Sequence, residues 1–276
     1  MFQYAAACAL AEERGASIGL DLRWMRRYSH RKFELGEFPL DVRELNCVER
    51  LGMTFWPFSR NPPYLWIRAL SKFRQRIHME KSLEYDPDVA CLKDGSYLWG
   101  YFQSLKYFQT HQKKIRECFK REANTSIYTT ECLRAVGNSN SVAVQIRRGD
   151  YVTNKAANHS IGVLPLDYYQ RAIKLVKELT HTDCFCVFSD DILWCRQHLQ
   201  LPHATFVERR GGGPVDDLSL AAQCTHLIAA NSTFSWWSAW LNQHESRVVI
   251  VPARWYRSDD LDRQSSDLIP DEWIRV

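Results

Sequence analysis

From residue 136 onward, short apolar runs alternate with segments whose apolar residues recur at helical spacing. In the first such segment, Tyr169, Ala172, Ile173 and Val176 fall on one helical face. Strands are predicted at 142–147, 184–189, 204–208, 226–230 and 247–251, and helices at 167–180, 192–199, 217–224 and 234–243. Strands that alternate with helices are typical of a parallel sheet with helical crossovers, so this half is predicted to be an α/β domain.

The start of the chain also has a helical pattern. Residues 1–14 have an apolar face that includes Phe2 and Leu10, and Gly15 is a suitable stop. A short strand is predicted over 16–22. In a βαβ unit a helix follows a strand, so a chain that begins inside a helix is expected to have an incomplete first domain.

The stretch between these regions is less regular. Residues 64–81 are predicted to form a basic helix, and 96–108 a strand, a glycine turn and a helix. The basic face of 64–81 is interpreted as a solvated surface, with contact to an anionic membrane or acceptor as the alternative. The polar segment 137–141 is a candidate linker, which predicts domains at 1–135 and 136–276.

Composition excludes several classes of protein. The 276 residues are 45% hydrophobic and 25% charged, with a net charge of only +4, which argues against a disordered chain or a nucleic-acid binder. No apolar run reaches the roughly 18 residues of a membrane span. Nine cysteines without metal-ligand spacing indicate free thiols in a reducing compartment. The Asp-x-Asp pairs at 86–88 and 260–262 do not follow apolar strands, so no metal site is predicted.

The most informative polar residues follow the first strand of the predicted sheet. The run 142–147 ends in Arg147, and Arg148, Gly149 and Asp150 come next. Ligands of open α/β sheets bind at the carboxyl ends of strands, and a guanidinium fork matches the oxygens of a phosphate. These residues therefore predict an anion site, such as one for a diphosphate. An ordinary ion pair of either arginine with Asp150 is the alternative.

Two more strands end in polar residues that belong at the same sheet edge. Ser189 and Asp190 follow the strand at 184–188, and a second polar group follows the strand at 226–230. The second group consists of Asn231, Ser232 and Thr233. Hydroxyls and free N–H groups at a helix start favour an anion, although helix capping by either group is the simpler interpretation. Convergence of three such loops on one edge favours a binding site.

Several segments, in their order and spacing, match one known pattern. In the second half they are QIRRGDYV, FSDDILWC, DLSLAAQCTHLIAANSTFSWWSAWL and VPARWY, and in the first half MFQYAAACALA, RKFELGEF and YLWGYFQSLKYF. The combination of RRGDY with NSTFSWW is the most specific part. On these segments the chain resembles the family-11 α-1,2-fucosyltransferases over essentially its whole length.

The resemblance implies a fold and a reaction. The expected fold is α/β and GT-B-like, with two Rossmann-like domains that have parallel sheets, the first incomplete at its N-terminus. The expected reaction is an inverting transfer of L-fucose from GDP-β-L-fucose to the 2-hydroxyl of a terminal galactoside. The expected partners are GDP-fucose and a galactose-terminated glycan or glycolipid, with no metal or other cofactor and no nucleic acid.

The resemblance also assigns residues. The expected catalytic residues are Arg147, which would hold the β-phosphate, and Asp150, which would support it and is an available base unless an arginine occupies it. By analogy with more distant fucosyltransferases, Asp217 would accept from the guanine edge. The expected donor-binding residues are Arg147, Arg148, Ser189, Asp190, Asp217, Asn231, Ser232, Thr233 and Ser235.

Two departures from the family pattern keep alternatives open. Gln145 stands where the family usually has His, which weakens a base-contact role there. Met1 stands where the family has a strand and a Gly-rich GNQ loop. A nucleotide-sugar-binding but inactive fragment or relative is therefore the second hypothesis, and a carbohydrate-binding module with a Trp and Tyr surface is the third. A cytoplasmic location is expected, with peripheral contact at the inner membrane as one alternative and, for a eukaryotic chain that has lost an anchor, the Golgi membrane as another.

Overall fold

The computed structural model describes residues 1–27, 33–46, 49 and 77–276. Contacts divide the chain into two compact units, Met1–Phe119 and Lys120–Val276. The predicted boundary between domains 1–135 and 136–276 stays a prediction.

The first unit begins with the predicted helix, α1 (Phe2–Arg14), which ends at Gly15. Gly15 has a φ of +59°, a left-handed conformation that favours glycine, and its N–H bonds back to the last turn of the helix. The apolar face of α1 is buried, with Phe2 near the ring of Phe108 and Tyr4 edge-on to Phe119. The predicted helix and its glycine stop are therefore confirmed.

The described part of the first unit also contains two short pairs of parallel strands, two helices and four 3-10 turns. The pairs are β1 (Gly19–Leu20) with β2 (Arg43–Glu44), and β3 (Ile77–Met79) with β4 (Tyr97–Trp99). The helices are α2 (Arg23–Arg27) and α3 (Gln112–Cys118), with 3-10 turns at Leu35–Glu37, Pro87–Cys91, Leu105–Tyr107 and Gln109–His111.

The helix predicted over 64–81 is wrong at its carboxyl end. Residues 77–79 form β3 because the backbone of Ile77 to Met79 pairs with Tyr97 to Trp99, and local helical periodicity did not anticipate that partner. The remainder of that predicted helix lies outside the described residues. No helix within the described ranges is long and apolar enough to span a bilayer. The expected cytoplasmic location and the peripheral membrane contact stay predictions.

The second unit is built on a sheet of six parallel strands. The strands are β5 (Ser141–Ile146), β6 (Cys184–Ser189), β7 (Thr205–Phe206), β8 (His226–Ile228), β9 (Val249–Val251) and β10 (Ile274–Arg275). Their order across the sheet is β7-β6-β5-β8-β9-β10, the order of a doubly wound Rossmann sheet. The predicted α/β class with a parallel sheet is therefore confirmed.

The connections of this sheet are helical. The helices are α4 (Thr130–Val136), α5 (Gly149–Thr153), α6 (Lys155–Ser160), α7 (Leu166–Thr180), α8 (Ile192–His198), α9 (Pro214–Ala221), α10 (Thr233–Leu241) and α11 (Asp259–Gln264), with a 3-10 turn at Thr125–Ile127. Each strand and helix predicted over 136–276 is present. Helix α9 begins three residues before the predicted start at 217, because Pro214 occupies its first turn and Asp216 accepts the N–H of Gly213. The short helices α4, α5, α6 and α11 and the two-residue β10 were not predicted.

Strand β5 is buried along its whole length, and its two faces contact different helices. Val142, Val144 and Ile146 belong to the apolar cluster that includes α7. Gln145 points to the other face, where its Nε2 donates to Ser238 Oγ of α10 at 3.0 Å. Helices therefore cover both faces of the central strand. The three tryptophans of α10 are buried core residues, as predicted.

Tyr168 of α7 offers a test of this packing. Its buried hydroxyl donates to the carbonyl of Ala229 at 2.6 Å, just past β8. Tyr168→Phe is expected to lower the free energy of unfolding by about 1–3 kcal/mol, because a buried carbonyl loses its donor. Urea denaturation followed by circular dichroism measures the change. Tyr101→Phe is the matched control, since Tyr101 is 63% exposed. Equal stability of both variants would contradict the proposed contribution of this hydrogen bond.

Candidate functional site

The order of the strands places one crevice in the second unit. Strand β5 lies between β6 and β8, and the chain winds toward β7 on one side and toward β10 on the other. Connections that leave in opposite directions open a crevice at the carboxyl ends of the two central strands, where ligands of doubly wound sheets bind. Arg147 directly follows β5, and Asn231 and Ser232 follow β8. The predicted convergence of these loops at one edge is confirmed.

Arg147 is held between two carboxylates. Its Nη2 donates to Asp150 Oδ1 at 2.7 Å, and its Nη1 lies 2.8 Å from Asp190 Oδ2. The ring of Tyr151 lies 5.6 Å from the guanidinium carbon. The side chain keeps 39% of its surface exposed, so the ion pairs orient Arg147 without sealing it from a ligand. The ion-pair interpretation is confirmed, and it is compatible with an anion site.

Asp190 connects the loops after β5 and β6. Its Oδ1 accepts the backbone N–H of Arg148 at 2.9 Å, while its other oxygen contacts Arg147. A Cβ at Gly149 would lie 2.5 Å from Asp190 Oδ2, closer than real Cβ contacts come. Glycine at 149 is therefore required for this approach. Asp190 therefore positions both arginines, since it contacts the guanidinium of Arg147 and the backbone of Arg148.

Arg148 has a different environment from Arg147. Its Nε donates to Asp191 Oδ2 at 3.1 Å, and its guanidinium stacks 3.9 Å from the ring centre of Trp194. Asp191 also caps α8, where it accepts the N–H of Trp194 at 3.2 Å. The prediction that Ser189 or Asp190 caps α8 is therefore wrong, because Asp190 is drawn to the loop after β5. Ser189 Oγ instead accepts the N–H of Asp191.

The sequence analysis places Asp191 at the end of the FSDD segment but assigns it no role in the site. It pairs with Arg148 and caps α8, so it fixes the guanidinium that stands beside the candidate anion site. The signal was present in the sequence, since the second Asp of the FSDD segment stands immediately before a helix pattern.

The loop after β8 is braced from within. Asn231 is buried, and its Nδ2 lies 3.1–3.2 Å from the carbonyls of Ile161, Gly162 and Trp255. Asn231 therefore holds neighbouring loops in place. The hydroxyl of Tyr151 donates to the Asn231 carbonyl at 3.3 Å, and burial raises the pKa of that tyrosine. Because Arg147 faces the ring of Tyr151, this bond links the ends of β5 and β8.

Helix α10 begins at this edge. Ser232 is its N-cap and accepts the N–H of Phe234 at 3.3 Å, so the predicted capping is confirmed. Thr233 is half-buried in the first turn, whereas Ser235 is buried. The first turn of a helix presents free N–H groups and a positive dipole end, both of which attract an anion.

Asp217 belongs to a separate group of contacts. Tyr128 Oη donates to Asp217 Oδ1 at 2.8 Å, and Arg209 pairs with the other oxygen. Burial raises the pKa of Asp217, an effect that Tyr128 and Arg209 oppose. Asp216 beside it pairs with Arg121 at 3.0 Å and accepts the N–H of Gly213 at the start of α9. The side-chain partners of Asp217 are thus Tyr128 and Arg209, whereas those of Arg147 are Asp150 and Asp190.

Among the described residues, no group of three or more His, Cys, Asp or Glu side chains could hold a metal ion. The cationic groups at the crevice are instead the guanidiniums of Arg147 and Arg148.

Comparison with known proteins agrees with these features. A model described as "Glycosyl transferase family 11" matches residues 78–276. An α-1,2-colitosyltransferase of Escherichia coli is 33% identical over 285 residues, covering 100% of this chain and 94% of the relative. O-antigen biosynthesis glycosyltransferase WbnK of Escherichia coli is 29% identical over 307 residues, covering 100% and 96%. Galactoside 2-α-L-fucosyltransferase SEC1 of Bos taurus is 28% identical over 152 residues, covering 52% and 41%.

These matches confirm the resemblance. The family match covers well over half of the chain, and the colitosyltransferase aligns along nearly its whole length. The chain therefore belongs to glycosyl transferase family 11 and is a transferase enzyme.

Proposed function

We propose that the chain is an inverting transferase that moves L-fucose from GDP-β-L-fucose to the 2-hydroxyl of a terminal galactoside. The observation that carries the proposal is Arg147, held by Asp150 and Asp190 at the carboxyl end of β5 and still open to a ligand. Names of relatives include both fucosyl and colitosyl transfer, which supports a deoxy-sugar donor. A GT-B-like pairing of domains, with the donor on the second unit, is part of the proposal.

The charge change of the reaction suits Arg147. The acceptor oxygen attacks the anomeric carbon from the face opposite GDP, the bond from that carbon to the β-phosphate oxygen breaks, and GDP leaves with the electron pair. A guanidinium that contacts the β-phosphate stabilises the charge that develops on the leaving oxygen. Because Asp150 and Asp190 already orient Arg147, less side-chain entropy is lost when the donor binds.

The acceptor hydroxyl must also lose a proton. Asp150 is the proposed base, since 42% of its side chain is exposed and only Oδ1 contacts Arg147. Asp150 is therefore proposed in two roles, to orient Arg147 and to receive the proton.

The remaining diphosphate oxygens are assigned to the start of α10. Ser232 and Thr233 lie where the free N–H groups of that helix begin, so they are the proposed contacts. Asn231, Asp190 and Ser235 are proposed to act by holding these loops, because each is committed to internal contacts or buried. Asp217 is proposed to meet the guanine edge only after exchanging a contact with Tyr128 or Arg209.

Colitosyl transfer is a second candidate, favoured by the 33% identity to a colitosyltransferase. Colitose is L-fucose without its 3-hydroxyl, so one hydroxyl separates the two donors. Transfer rates from GDP-fucose and GDP-colitose to a galactoside are expected to differ roughly 5- to 150-fold, because a buried polar group left without its partner costs roughly 1–3 kcal/mol. Absence of transfer from both donors, with GDP binding intact, would favour the inactive nucleotide-sugar-binding alternative.

Arg147→Ala is expected to weaken GDP binding roughly 30- to 150-fold, or about 2–3 kcal/mol, and to abolish transfer. Arg147→Lys is expected to restore little, because lysine lacks the planar fork. Calorimetric titration with GDP measures the affinity. Arg263→Ala is the matched control, since Arg263 is an exposed arginine of the same unit that pairs with Asp260, away from the crevice residues. An unchanged GDP affinity in folded Arg147→Ala would refute the assignment.

Metal independence is proposed because Arg147 and Arg148 supply positive charge at this edge, and its carboxylates, Asp150, Asp190 and Asp191, are paired with those arginines. Transfer and GDP affinity are expected to be unchanged within twofold after dialysis against EDTA. Arginine supplies the positive charge that a divalent cation would otherwise bring to the diphosphate. Activity that EDTA abolishes and that Mn²⁺ or Mg²⁺ alone restores would overturn the proposal.

A further inference from the structure

A cavity of about 590 Å³, open to solvent and lined mostly by exposed side chains, lies in the second unit, beside the helices that follow β5. Its lining includes Val152 of α5, Lys155 and His159 of α6, and Arg257 of the loop after β9. None of these residues has a role in the site described above. The volume lies within the range of about 300–1,000 Å³ that is usual for small-molecule sites.

The cavity carries an excess of positive charge. Lys155 and Arg257 line it, and no ion pair joins either of them to a carboxylate of this fully described unit. The acidic residue in the lining is Asp259, and Arg254 already pairs with it. Two uncompensated cations in one concavity are an electrostatic site for an anion.

The side chain of Arg257 is exposed, and a hydrogen bond to Asn158 orients its guanidinium. Its Nη1 donates to Asn158 Oδ1 at 2.9 Å, and its backbone N–H donates to Ile161 at 3.0 Å. Gly162, at φ +78°, lies against its stem, and a Cβ there would come within 3.0 Å of Arg257 Cβ. An arginine ordered in advance loses little entropy when it binds a ligand.

The cavity wall is joined to the crevice at the end of β5. Asn158 accepts from Arg257 and donates through its Nδ2 to the carbonyl of Tyr151 at 2.7 Å. Tyr151 in turn donates to Asn231 at the end of β8 and faces Arg147. A ligand held by Arg257 would therefore lie on the same helix pair, α5 and α6, that begins at the proposed catalytic residues.

We propose that this cavity binds an oxyanion, a phosphate or a carboxylate, carried by the acceptor saccharide. That the ligand is the acceptor rests on the proposed transferase function, whereas the anion site rests on the cavity itself. The donor diphosphate is assigned to Arg147, so Arg257 and Lys155 are left to recognise a second charged group. The planar fork of Arg257 suits two oxygens, and Lys155 adds a point charge.

Binding of three galactosides to the GDP-containing protein tests the proposal. One galactoside is neutral, one carries a diphosphate at its reducing end, and one carries a uronic acid. Calorimetry is expected to show that one charged ligand binds at least tenfold more tightly than the neutral one. Preference for the diphosphate identifies a lipid-linked type of acceptor, and preference for the uronic acid identifies an acidic glycan.

Variants separate this cavity from the donor site. Arg257→Ala, alone and with Lys155→Ala, is expected to remove the tenfold preference while GDP affinity stays within twofold of wild type. Arg263→Ala removes an equal charge elsewhere and is expected to keep the preference. Equal affinity of wild type for all three galactosides, or a preference that survives in the double variant, would overturn the proposal. Absence of GDP binding by the wild-type protein would instead count against the proposed function, and the same galactoside titrations without GDP would still test the cavity.

Discussion

The guanidinium of Arg147 between Asp150 and Asp190 is the interaction on which the candidate site depends. This interaction requires three features: Arg147 follows the last residue of β5, the loop after β6 places Asp190 beside it, and residue 149 is a glycine without a Cβ. The edge holds two guanidiniums, those of Arg147 and Arg148, but three carboxylates, including Asp191. Net local charge therefore does not attract a diphosphate. Direct contact with an oriented fork, together with the first turn of α10, must supply the affinity.

The second constraint is the bracing behind this edge. Asn231 holds three carbonyls from two loops, Tyr151 joins the ends of β5 and β8, and Asn158 extends the connection to Arg257. Most of these bonds are made by side-chain amides to backbone carbonyls, which fix loops without using a regular element. Such bracing allows loop residues to keep a defined geometry at the mouth of a rigid sheet.

Some features were predictable because their cause is local. Gly15 ends α1, Ser232 caps α10, and the tryptophans of α10 are core, each from a pattern contained in a few neighbouring residues. Predictions failed where a distant partner decided the outcome. Residues 77–79 became a strand because Tyr97 to Trp99 pair with them, and the cap of α8 moved to Asp191 because Asp190 binds the loop after β5.

By itself, the sequence determined the α/β class of the second unit, the positions of its main strands and helices, and the residues that follow each strand. These follow from hydrophobic periodicity and turn chemistry, which act over a few residues. Only the tertiary structure decided the strand order, the pairing of Arg147 with Asp190, the separate contacts of Asp217, and the cavity of Arg257. These features join residues tens of positions apart, and the side-chain contacts that create them exist only once the sheet has assembled.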